Sequence, residues 1–257
     1  MTVMSPQLAP PTPAEQELSF SRLKPRWWAL SIAYRVVGLM RLAIGHERVL
    51  RLMLNLHWIT WRMAYELTYT FFGGGFVNDT YGVSASVLAR YVPSGGTVID
   101  IGCGAGRLAH LIQPGTRFLG LDRDVDRIAQ AQQAFAANPL VAFRCHDLTS
   151  KWPADAVGDV VLLVGVLEHV DDPDALLQRL HQVASTLIVE VPDLDASPLN
   201  WARRRMNCPW YSDADHVREY TVELLESQLT RNGWVPVEWV QRGAMVLAIC
   251  RASGIAH

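Results

Sequence analysis

From about Leu18 to Phe72, apolar positions recur three, four or seven residues apart. Leu39, Leu42, Val49, Leu52, Leu56 and Ile59 follow the spacing of one helix face. Gly45 and the three glycines at 73–75 are the expected breaks. Pro25 fits a first helical turn, where its missing N–H leaves no hydrogen bond unmade. Residues 1–16 hold four prolines and almost no large apolar side chain, which predicts a loose tail.

From Val92 onward the pattern changes. Short apolar runs at 97–101, 117–121, 141–144, 160–164, 186–191, 235–239 and 245–250 predict strands. The stretches 106–112, 125–136, 172–183 and 221–232 predict helices between most of them. A run as uniformly apolar as 160–164 (VVLLV) suits a sheet covered on both faces. Strands alternating with helices predict an α/β fold with a doubly wound, seven-stranded, mostly parallel sheet. Only residues 240–244 separate the last two strands, too few for a parallel crossover, so one of them should run antiparallel. The chain thus divides into a tail (1–16), an N-terminal helical cap (17–80) and an α/β domain (81–257).

Composition narrows the class. With 257 residues, 50% hydrophobic and 19% charged, the chain can bury a core without disulfides. Wholesale disorder, collagen-like repeats and a disulfide scaffold are excluded. No uncharged apolar run reaches the ~18–20 residues that span a bilayer. No basic segment followed by an apolar one marks a secretory signal. Cys103, Cys145, Cys208 and Cys250 form no C-x-x-C pair, and no His/Cys group has zinc-ligand spacing. The expectation is reduced thiols, no metal and a cytoplasmic setting.

Charge is unevenly spread. Residues 22–62 carry eight bases and one acid, Glu47, or +7, while the whole chain is −2. Four of the nine tryptophans (Trp27, Trp28, Trp58 and Trp61) lie in the same third. Basic, Trp-bearing helices fit a cap with solvated arginines, and also an in-plane helix at an anionic membrane face. Arg41, Arg48 or Arg51 could equally hold an anionic substrate.

The candidate chemistry starts at residues 98–109 (VIDIGCGAGRLA), an apolar strand running into Gly102, Gly104 and Gly106 and then a helix. Such glycines let the backbone turn tightly and approach a ligand, with helix N–H groups facing it. The run 118–121 (FLGL) then ends in Asp122, an acid placed to accept both hydroxyls of a ribose. Asp147 follows the third strand, where it can meet an adenine amino group.

These residues resemble the class I S-adenosylmethionine (SAM)-dependent methyltransferases. The run 100–106 (DIGCGAG) matches their first motif, Asp122 their ribose acid, and 164–170 (VGVLEHV) the segment after strand four. Residues 167–173 (LEHVDDP) and 215–221 (DHVREYT) further resemble the group containing the coenzyme Q O-methyltransferases. The resemblance covers about residues 80–251. It implies a Rossmann-like sheet with SAM as cofactor and S-adenosylhomocysteine as product. Gly102, Cys103, Gly104 and Gly106 would wrap the methionine part, with Asp100 bracing the loop. Asp122 and Arg123 would hold the ribose, Asp147 and Leu148 the adenine, and Val164, Gly165 and Val166 the sulfonium. From position alone, Tyr81 could reach the methionine end.

A hydroxyl acceptor usually needs a base, and the candidates are His169 and His216. Against this, His169 could merely orient its loop, and His216 could link to Tyr220 or Arg218. Glu168 reads as a brace. The N/D-P-P-Y/F tetrad of base-amino methylation is absent after strand four, and Cys208-Pro209 reverses the Pro-Cys order of cytosine C5 enzymes, so nucleic acid is disfavoured. The expectation is a methyltransferase acting at oxygen on a small or lipophilic molecule, with residues 22–72 a candidate peripheral membrane contact at the inner face. RNA or protein methylation, and a non-catalytic SAM-binding partner, are the alternatives.

Overall fold

A computed structural model of the chain describes residues 28–72, 82–209, 213 and 215–254. The tail, Pro25, the glycines at 73–75 and Tyr81 lie outside the described residues. The chain forms two compact units, Met1–Met53 and Leu54–His257.

In the first unit, helix α1 (Trp28–Ile44) meets the start of α2 (His46–Phe72) at Gly45. Gly45 has φ 87°, a left-handed value that ends one helix without a Cβ penalty, as its place in the pattern predicts. No side chain of α1 is buried. Leu39 and Leu42 are 67% and 86% exposed, so the apolar spacing of this helix does not report a core face.

The second unit is built on seven strands: β1 (Thr97–Ile101), β2 (Arg117–Asp122), β3 (Val141–Cys145), β4 (Val160–Val164), β5 (Thr186–Pro192), β6 (Trp234–Arg242) and β7 (Met245–Ala252). Their order is β3-β2-β1-β4-β5-β7-β6. β1 to β5 pair in parallel, and β7 runs antiparallel to both β5 and β6. The expected antiparallel strand is therefore the last one, inserted by a tight turn at Gly243 and Ala244.

Alternate residues of the central strands feed two separate cores. Ile99, Ile101, Val161 and Leu163 enter one, and Val98, Val160 and Leu162 the other. Each such side chain contributes about 1.5–3 kcal/mol on burial. Helices α3 (Ala85–Tyr91), α4 (Val125–Ala134), α5 (Pro173–Leu180) and α7 (Val222–Arg231) start at side-chain caps from Ser84, Asp124, Asp172 and Thr221. α6 (Pro198–Arg205) opens instead with proline in its first turn.

One expected element differs. Residues 106–112 make only a 3₁₀ turn, Arg107–Leu111. Only seven residues separate Gly106 from Pro114, and the chain is already extended at Ile112, so an α-helix has no room to propagate.

Candidate active site

Parallel strands present their carboxyl ends on one edge, and the site builds from β1 outward along it. After β1, Gly102 N and Cys103 N both donate to Leu121 O, at 2.7 and 3.2 Å, folding the loop back onto β2. Gly102 has φ 76°, and a Cβ there would lie 2.4 Å from Val166 Cγ2. Gly106 has φ 80°, and its Cβ would meet the Phe143 ring at 2.6 Å. These two glycines let neighbouring side chains close on the loop. Gly104 faces only the Arg127 guanidinium, at 3.6 Å, and is the one open outward. The Cys103 side chain is buried, which pushes its thiol pKa up and keeps it a packed thiol.

Asp100 lies under this loop and is buried, with Oδ2 lacking a hydrogen-bond partner. Burial pushes its carboxyl up to about 7, against the lowering charge of Arg107. Asp122, at the end of β2, accepts from Gly104 N at 2.8 Å and Asp124 N at 2.9 Å, tying loop to strand end. Arg123 is exposed beside it. Asp147 Oδ1 accepts from both N and Oγ1 of Thr149 at 2.8 Å, bonds that hold its pKa down. The neighbouring Leu148 packs on the first core.

Next along the edge, Val164, Gly165 and Val166 leave β4, Gly165 N donating to Glu190 O at 2.9 Å. The chain then turns through Leu167–His169, with His169 N donating to Val166 O at 3.0 Å. Glu168 is 2% exposed and its Oε2 has no partner; burial pushes its carboxyl up to about 7. Its carbonyl accepts from Val217 N and Arg218 N, which brings the 215–219 loop to this turn. The rings of His169 and His216 consequently meet edge to face, 4.7 Å apart.

Each histidine is backed by an acid. His169 Nδ1 lies 3.4 Å from Asp215 Oδ2, and His216 Nδ1 lies 3.0 Å from Glu219 Oε1. The link proposed from His216 to Tyr220 or Arg218 is replaced by Glu219. Tyr220 instead bonds Gln228, and Arg218 bonds the Val170 and Asp171 carbonyls. Burial would lower the His216 pKa, but the hydrogen bond and charge of Glu219, with the charges of Glu168 and Asp213, raise it overall.

Spacing in the sequence gave no metal site, yet the ligand atoms of Glu168, His169 and His216 lie within 4.8 Å of one another. Two imidazoles and a carboxylate, with acids behind the imidazoles, are donors that a divalent cation accepts. They are equally a route for a proton. The separation of 48 positions between Glu168 and His216 hid this cluster from any local motif.

Beyond β5 lies a cavity of about 290 Å³ lined by His57, Trp58, Trp61, Asn200, Arg203 and Glu219, among others. Of these, only the two tryptophans and Glu219, within the 215–221 motif, fall in segments that the sequence marks. Arg203, in the run 203–205 (RRR), belongs to no motif of the sequence.

The glycine loop, the acid ending β2 and the buried, unpartnered Asp100 suit a cationic nucleoside ligand such as SAM. A methyltransferase-domain family matches residues 81–238, and the chain belongs to that family. Trans-aconitate 2-methyltransferase of Variovorax paradoxus is 26% identical over 54% of this chain and 57% of its own length. Ubiquinone biosynthesis O-methyltransferase of Rhodopseudomonas palustris is 38% identical over 34% of each chain. These matches thus span little more than half of one relative and a third of the other. Among solved structures, the magnesium protoporphyrin IX methyltransferase of Synechocystis, with bound SAH, aligns with TM-score 0.53 at 20% identity, covering 66% of this chain and 80% of that one. A SAM-dependent methyltransferase from Aquifex aeolicus gives 0.51 at 15% identity, covering 65% and 88%. Both likenesses concern the fold.

Proposed function

We propose that the protein transfers the SAM methyl group to an oxygen of a small-molecule acceptor. In this reading Gly102, Cys103, Gly104 and Gly106 cradle the methionine moiety, with Asp100 beneath. Asp122 and Arg123 hold the ribose, Asp147 and Leu148 meet the adenine, and Val164, Gly165 and Val166 border the sulfonium. Asp122 already accepts two backbone bonds, and each carboxylate oxygen retains acceptor capacity for a ribose hydroxyl.

SAM, when bound, supplies an activated methyl on a good leaving group. The chain's own residues then align acceptor and donor, worth several orders of magnitude in rate. They also remove the acceptor's proton, worth ~10²–10⁴-fold. The acceptor oxygen gains CH₃, its proton passes to an imidazole, and S-adenosylhomocysteine leaves. The observation that carries this reading is the His169–His216 pair, one turn from Val166 and backed by Asp215 and Glu219. The relatives named as ubiquinone O-methyltransferases support oxygen as the acceptor atom.

Label partitioning tests this. Protein and methyl-labelled SAM are incubated with extract of the source cells, and lipid, aqueous small-molecule, RNA and protein fractions are separated. Label is expected in a small-molecule fraction, in base-stable or ester linkage to oxygen. Label in RNA or protein would overturn the acceptor class.

A membrane-facing role for the N-terminal helices has its own support. No described helix is long and apolar enough to cross a membrane. α1 nevertheless exposes Leu30, Ile32, Leu39 and Leu42, with Arg35 and Arg41 on the same helix, a composition suited to lying in an anionic interface.

A further inference from the structure

Resting on the methyl-transfer reading, one side chain indicates which acceptors fit. Arg203 is only 3% exposed. Its hydrogen-bond partners are all neutral groups: Asn200 Oδ1 at 2.7 Å, Leu54 O at 3.4 Å and His57 Nδ1 at 2.6 Å. For His57 Nδ1 to accept, its ring must be neutral with the proton on Nε2. Nε of Arg203 has no partner, and no acid pairs with this guanidinium among the described residues. Neighbouring Arg204 has Asp195 at 2.7 Å, so the burial of an unpaired cation is specific to Arg203. Such a cation costs free energy unless an anion joins it, and Nε and one N–H of Nη1 of Arg203 are not used by its neutral partners.

The rest of the cavity sets the shape of that anion's carrier. Trp58 and Trp61, three residues apart on α2, supply two indoles. About 290 Å³ is at the small end for ligand pockets and suits a single small molecule. The two acids at the wall do not compete for Arg203. Asp193 accepts from Asp195 N at 3.0 Å and Gln241 Nε2 at 3.4 Å, and Glu219 faces His216 at 3.0 Å. Glu219 also connects the cavity to the imidazole pair. The cavity starts at Pro192, two residues past Glu190, which pairs with Val164 in the sheet. A bound molecule therefore lies at the same sheet edge as the proposed sulfonium position.

We propose that this cavity is the acceptor site and selects a small planar molecule carrying a carboxylate, the carboxylate resting on Arg203 and the ring against Trp58 and Trp61. The molecule's own hydroxyl is then the group turned toward His216.

The test uses the full chain saturated with S-adenosylhomocysteine, titrated with hydroxybenzoates and hydroxycinnamates and with the matching amides, and read by calorimetry and tryptophan fluorescence. At least one acid should bind and quench the fluorescence, and its amide should bind roughly tenfold more weakly or worse, the loss of a charge-assisted pair. Trp61→Ala, at an exposed position, should weaken acid and amide alike. Arg203→Met should abolish the preference for the acid while leaving thermal stability unchanged or raised. A purely structural Arg203 would instead lower stability and leave the preference intact. Equal binding of acid and amide, binding of none of them, or an acid preference that survives Arg203→Met would each overturn the proposal. If Arg203→Met does not fold, the acid–amide comparison and Trp61→Ala decide. Failure of S-adenosylhomocysteine itself to bind would strike the methyl-transfer reading instead.

Discussion

His216 shows how much a single residue depends on chain brought from elsewhere. Glu219 is three positions away, but Glu168 arrives from 48 residues earlier, and both acids favour the protonated ring. A base must be neutral to accept a proton. If His216 is that base, kcat/KM should climb with pH through a pKa above the ordinary 6.5 and then level off. His216→Gln should lower turnover by about 10²–10⁴-fold and erase that rise. A rise lost only in His169→Gln would move the role to His169, and one surviving both substitutions would remove the role from the pair. Turnover should withstand a chelator; loss restored by a divalent cation would make these side chains ligands. Of the candidate site, the glycine loop, Asp122 and the segment after β4 were legible because each is carried by contiguous residues. Arg203 was not. Its burial is decided by packing against Leu54 and His57, nearly 150 residues earlier, and a triple-arginine run carries no sign of that.

At the scale of elements, all seven strands were legible to within a few residues because β-branched and other apolar runs have little else to do. The two short helices α3 and α6 were not. α3 has seven residues, and α6 carries three arginines without an apolar stripe, so neither gives a helical period. α1 is the opposite case: a clear period whose apolar side chains stay exposed. The protein should therefore sediment with vesicles containing phosphatidylglycerol at low salt, and less so as salt is raised. Replacing Leu39 and Leu42 by Glu should reduce the bound fraction at least tenfold, since each leucine contributes about 1.5–3 kcal/mol when buried. Equal sedimentation of variant and parent would remove the membrane from the account of this helix.

The molecule as a whole holds several groups that titrate against folding in one direction. Asp100 and Glu168 are pushed up to about 7 by burial, so the unfolded chain ionises them first as pH rises. His216, with its pKa raised, stabilises the fold below the ordinary value and loses that contribution as pH climbs through the raised one. These groups should make the ligand-free protein lose stability between about pH 4 and 7. A cationic ligand over Asp100 reverses its share, so the rise in melting temperature produced by SAM should grow from pH 5.5 to 8. Scanning fluorimetry with and without SAM checks this, and a rise independent of pH would separate Asp100 from the cofactor. The sheet order has a consequence for how the chain comes into being. β7 comes last among the described strands but is an inner strand of the sheet. On the ribosome, the glycine loop and the acids after β2 and β3 emerge early, while β5 stays an open edge until residues 245–252 appear. Gly243 and Ala244, which help wall the Arg203 cavity, come equally late. A nascent chain thus completes the edge where the methyl donor is proposed to sit well before it can enclose an acceptor, and any chain halted in between carries an unpaired strand that invites aggregation.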